Sequence, residues 1–117
     1  MVIDVTAAVG NEPRALLLSS EFPPGPGGIG HHAFQLARHL TRLGWRIHVL
    51  TPQPYVAAAE RDAFNGQQPF AITPLPDRGA GGHWMAARMR LIDDAARTWR
   101  PSLLIATGQR ALLTAAA

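Results

Sequence analysis

The sequence predicts an α/β domain in three layers, built on a parallel sheet of spatial order 3-2-1-4. Three observations carry that expectation. Apolar runs of strand length at 15–18 and 103–106, and the strand-like Ile47-His48-Val49-Leu50, alternate with amphipathic stretches of helical period. Such runs suit strands buried on both faces, as in parallel sheets. Glycine and proline crowd residues 21–30, between the first run and the first helix. Residues 15–51 have the size of one strand–helix–strand unit, with a right-handed crossover. The doubly wound rule then gives the strand order.

The chain has 117 residues, enough for one domain. Its first thirteen residues read as a lead-in: Val2, Ile3 and Val5 are able to pair briefly, but Gly10, Asn11 and Pro13 break the pattern. The first strand is 15–19 and the loop is 21–30. Prolines stiffen the first half of the loop and remove amide donors. Glycines dominate the second half and expose backbone N–H groups without a Cβ in the way. The helix at 31–43 places Ala33, Leu36, Ala37, Leu40 and Leu43 on one face, and Gly44 ends it. The second strand is 46–51. A short alanine-rich helix at 56–64 and a third strand at 70–73 follow. The third helix spans 82–100, with Met85, Met89, Ile92, Ala96 and Trp99 as its core stripe, Trp84 and Arg88 flanking on a solvated face, and Asp93 paired to Arg97. The fourth strand is 103–106. Residues 111–117 begin a further helix without a polar ending, which suggests truncation.

Composition excludes several kinds of chemistry. There is no cysteine, so neither disulfide nor thiolate chemistry is available. All eleven basic residues are arginine, which removes lysine Schiff bases and a Walker A lysine. The net charge of +3 is scattered, with no basic run of the kind that marks nucleic-acid binding. An anionic small ligand, or peripheral contact with an anionic membrane, fits that charge. The first eleven residues lack the basic start of a signal peptide, and a cytoplasmic location is the default.

Gly25, Gly27 and Gly30 satisfy G-x-G-x-x-G literally. Two checks for a dinucleotide site fail. Residues 21–24 separate the glycines from the strand, and Thr51, Pro52 and Gln53 stand where an acid is wanted. An NAD domain therefore ranks below other anionic ligands. His31 and His32 are adjacent, about 100° apart on a helix, and no acid or cysteine completes a metal site with them. His31 reads as a cap or a ligand contact, His32 as a surface residue. His83 reads as a solvated helix start, and His39 and His48 as structural or exposed. Glu21 either contacts a hydroxylated ligand or caps the loop. Gly108 and Gln109 follow the fourth strand, on the same sheet edge as the glycine loop. Two loops converging at one edge form the default site: Glu21, Gly27, Gly28, Gly30, His31, Gly108 and Gln109. No catalytic residue is assigned.

Several stretches together resemble the N-terminal start of family 4 glycosyltransferases. Residues 21–30 match E-x-P-P-x-x-G-G-x-G, Leu36-Ala37-Arg38-His39-Leu40 matches L-A-x-x-L, and residues 44–51 match G-H-x-V-x-V-x-T with Trp45 at the histidine and Ile47 at the first valine. The likeness covers about 14–110. Within it, 53–84 match in layout alone and Ser102 stands where the family has aspartate. The resemblance implies one Rossmann-like half of a GT-B fold and retaining transfer of a sugar from a nucleotide-sugar donor without bound metal. It implies an acceptor-side domain at 14–117 whose Gly27 and Gly28 approach the donor phosphates. It implies as partners the acceptor and a C-terminal donor domain, absent here, without which the exposed cleft edge invites self-association and turnover is not expected. Gln109 stands near the place of a histidine common in the family. The alternative is a standalone Rossmann-like binding or interaction module without chemistry.

Overall fold

The computed structural model describes residues 2–4, 13–54, 56–77, 79 and 81–108. The described elements run β1 (Val2–Asp4), β2 (Arg14–Ser19), α1 (Gly28–Arg42), β3 (Arg46–Thr51), α2 (Ala58–Gly66), β4 (Ala71–Pro74), α3 (Trp84–Trp99) and β5 (Leu103–Thr107). The sheet order is β1-β5-β2-β3-β4. Strands β2 to β5 are all parallel and reproduce the expected order 3-2-1-4. The lead-in contributes more than brief pairing: β1 adds an antiparallel edge, with Val2 opposite Ile105 and Asp4 opposite Leu103. The helix expected at 111–117 lies outside the described residues.

Strand alternation divides the core into two faces. Ala15, Leu17, Ile47, Val49 and Ile105 face α1 and α2, where Ala33, Ala37 and Phe22 are buried and Phe34 and Phe64 pack against them. Leu16, Leu18, Leu50 and Ala106 face the opposite way, toward Ile92 and Ala95 of α3. An unbroken apolar strand is what a sheet covered on both sides requires.

Four aromatic rings fasten the first layer. Phe22 is 2 % exposed and meets Phe34 and Phe70 edge-on at centroid distances of 5.9 and 6.4 Å. Phe34 also lies 5.6 Å from Phe64. Thus Phe22, a loop residue by sequence, is a core anchor. Helix α1 starts at Gly28, three residues before the expected boundary, so Gly28 and Gly30 form its first turn and are not loop. The loop backbone dictates this close approach. A Cβ on Gly30 would fall 2.9 Å from Phe22 N and 3.0 Å from Glu21 C.

At its other end α1 closes as a Schellman motif. Gly44 N–H bonds Thr41 O at 3.1 Å and Trp45 N–H bonds Leu40 O at 3.0 Å, with Gly44 at φ 95°. Leu43 does not join the apolar face; it is the C-cap and 77 % exposed.

Helix α3 is rotated from the expected stripe. Met85 and Ala96 are exposed, whereas Trp84, Arg88, Ile92, Ala95 and Trp99 turn inward. Arg88 is the buried residue of the helix, at 7 % exposure, and not a member of a solvated face. The spacing 84-88-92-95-99 is as helical as the expected one. The Asp93–Arg97 pair forms at 2.9 Å on the exposed side. Arg14 donates from Nη1 to Trp99 O at 2.9 Å, which ties the start of β2 to the end of α3.

The histidine of β3, His48, is half-buried. Its Nε2 lies 2.7 Å from Thr73 Oγ1 and its ring stands edge-on to Trp99 at 5.6 Å. Burial lowers its pKa from 6.5. The unfolded chain therefore binds the proton at higher pH than the fold does. The associated stability is complete above about pH 6.5 and is lost as pH falls through the lowered value. Denaturant unfolding of the wild type is expected to weaken from pH 7 toward pH 5 more steeply than that of His48→Gln. Gly30→Ala is expected to cost about 1–3 kcal/mol, because backbone must move. Gly28→Ala, with nothing within 4 Å of its Cβ, should be neutral or gain up to about 0.5 kcal/mol; urea midpoints check both.

Candidate functional site

The carboxyl ends of β2, β3 and β5 carry the loops that the sequence singled out. Gly27 is the N-cap of α1, at φ 136° and ψ 140°, and no side-chain cap closes the helix start. Residues 26–29 are exposed. The N–H groups of a first helical turn have no partner inside the helix and carry the positive end of its dipole. The N–H of His31 is not among them, since it bonds Gly27 O at 3.1 Å. The expected capping by the His31 side chain does not occur; that side chain is exposed, as is His32. His83 is the exposed N-cap of α3.

Glu21 is placed by its neighbours in the chain. Ser20 N–H bonds Thr107 O at 3.1 Å, Thr107 Oγ1 donates to Ser19 Oγ at 2.9 Å, and Ser19 Oγ donates in turn to Glu21 O. This chain of hydroxyls ties the end of β5 to the loop. The Glu21 carboxylate then lies against Gly27, where a Cβ would collide with it. Gly108, at φ 91°, is held as closely. A side chain there would strike Ser20 Oγ and come within 3.3 Å of Ile29 Cγ2. The structure thus brings Glu21, Gly27, Gly28, Gly30, His31 and Gly108 to one edge. Gln109 lies outside the described residues.

Gln53 stands where a dinucleotide fold wants an acid, and its role is different. It is buried at 6 % exposure. Its Nε2 donates to Pro23 O at 3.0 Å and to Asn65 Oδ1 at 2.8 Å, and it accepts from Asn65 Nδ2 at 3.0 Å. It braces the proline turn against α2. The sequence held a trace of this in a polar residue after a buried strand, but its partner twelve residues on leaves no periodic signal.

On the α3 side of the same edge lies a small open recess of about 10 Å³, lined by Ser19, Ser20, Leu50, Pro52, Leu75 and Arg88 among others. Sequence reasoning missed it because Arg88 was placed on the wrong side of α3. Among the described residues, no three His, Asp or Glu side chains come together as a metal site, and no helix is long and apolar enough to cross a membrane.

The family model of Glycosyltransferase Family 4 matches residues 26–117, most of the chain. The chain belongs to that family. The match begins inside the glycine segment and runs through α1, β3, α2, β4, α3 and β5, and the parallel sheet with helices on both faces agrees with an N-terminal domain of a family 4 glycosyltransferase. Glycosyl transfer is thereby supported as the general activity. No match is found among curated proteins or solved structures.

Within this family 4 domain, the Glu21–Gly27 contact is measurable. Gly27→Ala is expected to destabilise by about 2–4 kcal/mol, from positive φ together with the collision. In a Glu21→Ala background the same change should cost about 1–2 kcal/mol, leaving the backbone part. A double-mutant cycle in urea checks the difference.

Proposed function

We propose that this chain is the acceptor-side domain, residues 14–117, of a two-domain GT-B glycosyltransferase. In this reading a retaining enzyme moves a sugar from a nucleotide-sugar donor to an acceptor. The donor is held by a second, C-terminal domain across a cleft, and no metal is needed. The observation that carries the reading is the uncapped, exposed start of α1 at the carboxyl edge of the sheet, in a chain of this family. Departure of a nucleoside diphosphate builds negative charge on its phosphate oxygens. Amides at Gly27 and Gly28, already oriented, stabilise that charge without reorganising.

Glu21 fits the same picture as a hydroxyl acceptor. Its carboxylate beside Gly27 would repel a phosphate placed directly on it, so the phosphate sits toward Gly28 while Glu21 takes a sugar hydroxyl. Gly108 keeps the β5 edge low enough for a ligand to reach both loops, and His31 lies one turn along α1 for a polar contact. Gln109 belongs to the same proposed edge by sequence. A cytoplasmic enzyme with peripheral membrane contact suits the scattered positive charge.

The test is an amide titration. Addition of a nucleoside diphosphate to the protein carrying both domains should shift the Gly27 and Gly28 N–H resonances saturably. Glu21→Gln should change donor affinity by about two- to fivefold, the scale of a charge at a helix start. Silent glycine amides alongside moving resonances elsewhere would remove the assignment.

A further inference from the structure

The strut between Gln53 and Asn65 holds the one asparagine of the chain that a glycine follows. An asparagine carboxamide is open to attack by the main-chain nitrogen of the next residue, and glycine leaves that nitrogen least obstructed because it has no Cβ. Gly66 is exposed, with open space where a Cβ would stand. It is also the last residue of α2, where helices fray. The bonds that close this end run long, from Gln67 N–H to Phe64 O at 3.2 Å and from Gln68 N–H to Asn65 O at 3.3 Å. The side chain is restrained by its own pairing. Asn65 Oδ1 accepts from Gln53 Nε2 at 2.8 Å, and Asn65 Nδ2 donates to Gln53 Oε1 at 3.0 Å. Ring closure needs the Asn65 backbone to leave the helical range and the carboxamide to swing back onto Gly66, so both bonds must part first.

We propose that Asn65 is a self-modification site: it deamidates slowly, the Gln53 pairing sets the rate, and the product releases the proline turn. The Gly66 nitrogen gives its proton to solvent and bonds Asn65 Cγ. The Cγ–Nδ2 bond breaks and Nδ2 leaves as ammonia. Water then opens the five-membered imide. Cleavage between Cγ and the Gly66 nitrogen gives aspartate; cleavage between the carbonyl carbon of residue 65 and that nitrogen gives isoaspartate, with the main chain routed through Cβ and Cγ. The sum is amide plus water to carboxylate plus ammonium, and none of it depends on a bound sugar or nucleotide. The product does not fit the present bonding. Gln53 has two N–H donors and one acceptor oxygen. Its donors go to Pro23 O, at 3.0 Å, and to Asn65 Oδ1. A carboxylate at 65 has no N–H for Gln53 Oε1, so two oxygens face each other beside a buried side chain. Turning the Gln53 amide over only moves the conflict to Pro23 O and the other carboxylate oxygen. Pro23 O then loses a fixed donor, and the turn that leads into the glycine segment loosens.

The test is incubation of the folded protein at mildly alkaline pH, with peptide mass mapping of the amide-to-acid conversion at Asn65. A free peptide spanning residues 61–70 is the unrestrained reference. The folded wild type should convert more slowly than the peptide by about ten- to a hundredfold, the population factor for parting two neutral hydrogen bonds. Gln53→Met, which keeps the bulk and removes the amide, should close most of that gap. Gly66→Ala should slow conversion further while leaving α2 in place, since nothing lies within 4 Å of the added Cβ. An amide wholly retained in the folded protein over tens of peptide half-lives overturns the site. A rate unchanged by Gln53→Met, or a folded protein that keeps pace with the peptide, overturns the restraint; the second comparison decides even where Gln53→Met fails to fold. Asn65→Asp copies the aspartate product. It should lower the urea midpoint and speed hydrogen exchange at the Phe22 amide, and values equal to the wild type would leave the turn braced and end the proposed release.

Discussion

The contact between the first turn of α1 and the backbone of Glu21 and Phe22 decides where the candidate site lies. Gly30 touches main chain, not side chain, and Phe22 is locked beneath by the rings of Phe34 and Phe70. With both fixed, the helix can start in one place only, and its first amides emerge at the carboxyl edge of the sheet. A loop of ten residues rich in glycine and proline would otherwise be free to wander. Burial of one phenylalanine, worth about 1.5–3 kcal/mol, removes much of that freedom. The hydroxyl chain from Thr107 through Ser19 to the Glu21 carbonyl does the same on the β5 side.

That edge presents two chemistries on its two sides. Toward α1 it offers backbone N–H groups with a carboxylate beside them. Toward α3 it offers a buried guanidinium and hydroxyls. Ser20 sits between the two. In a family 4 glycosyltransferase domain, the arrangement draws positive character from main-chain dipoles at the start of α1 and from an arginine stacked on Trp84.

Much of the fold could be read from the residues because parallel strands leave strong marks. Ala15 to Leu18 is apolar on both faces and Ile47 to Leu50 is apolar but for His48, and both lie inside a covered sheet. Gly44 at the end of α1 was legible for the same reason, since few other residues accept φ 95°. The glycine edge was legible in place but not in form, as the segment from Gly28 turned out to be helix. Helical propensity argues against glycine, and tertiary packing at Gly30 overrode it. Arg88 was misplaced because charge is ordinarily a sign of exposure. The stripe that α3 buries is as periodic as Met85, Met89, Ile92, Ala96 and Trp99, but it carries Arg88. The Gln53–Asn65 amide pair could not be seen at all, because complementarity between two neutral amides has no compositional signature.

That amide pair also bears on how robust the frame is. The strut joining the proline turn to α2 carries no net charge, so neither ionic strength nor acidity has a lever on it. Charge at the neighbouring edge can change without acting on this strut, so the scaffold under the glycine turn keeps its geometry. Polarity on the working surface and neutrality in the bracing behind it are separate in this domain, which lets the one vary without unsettling the other.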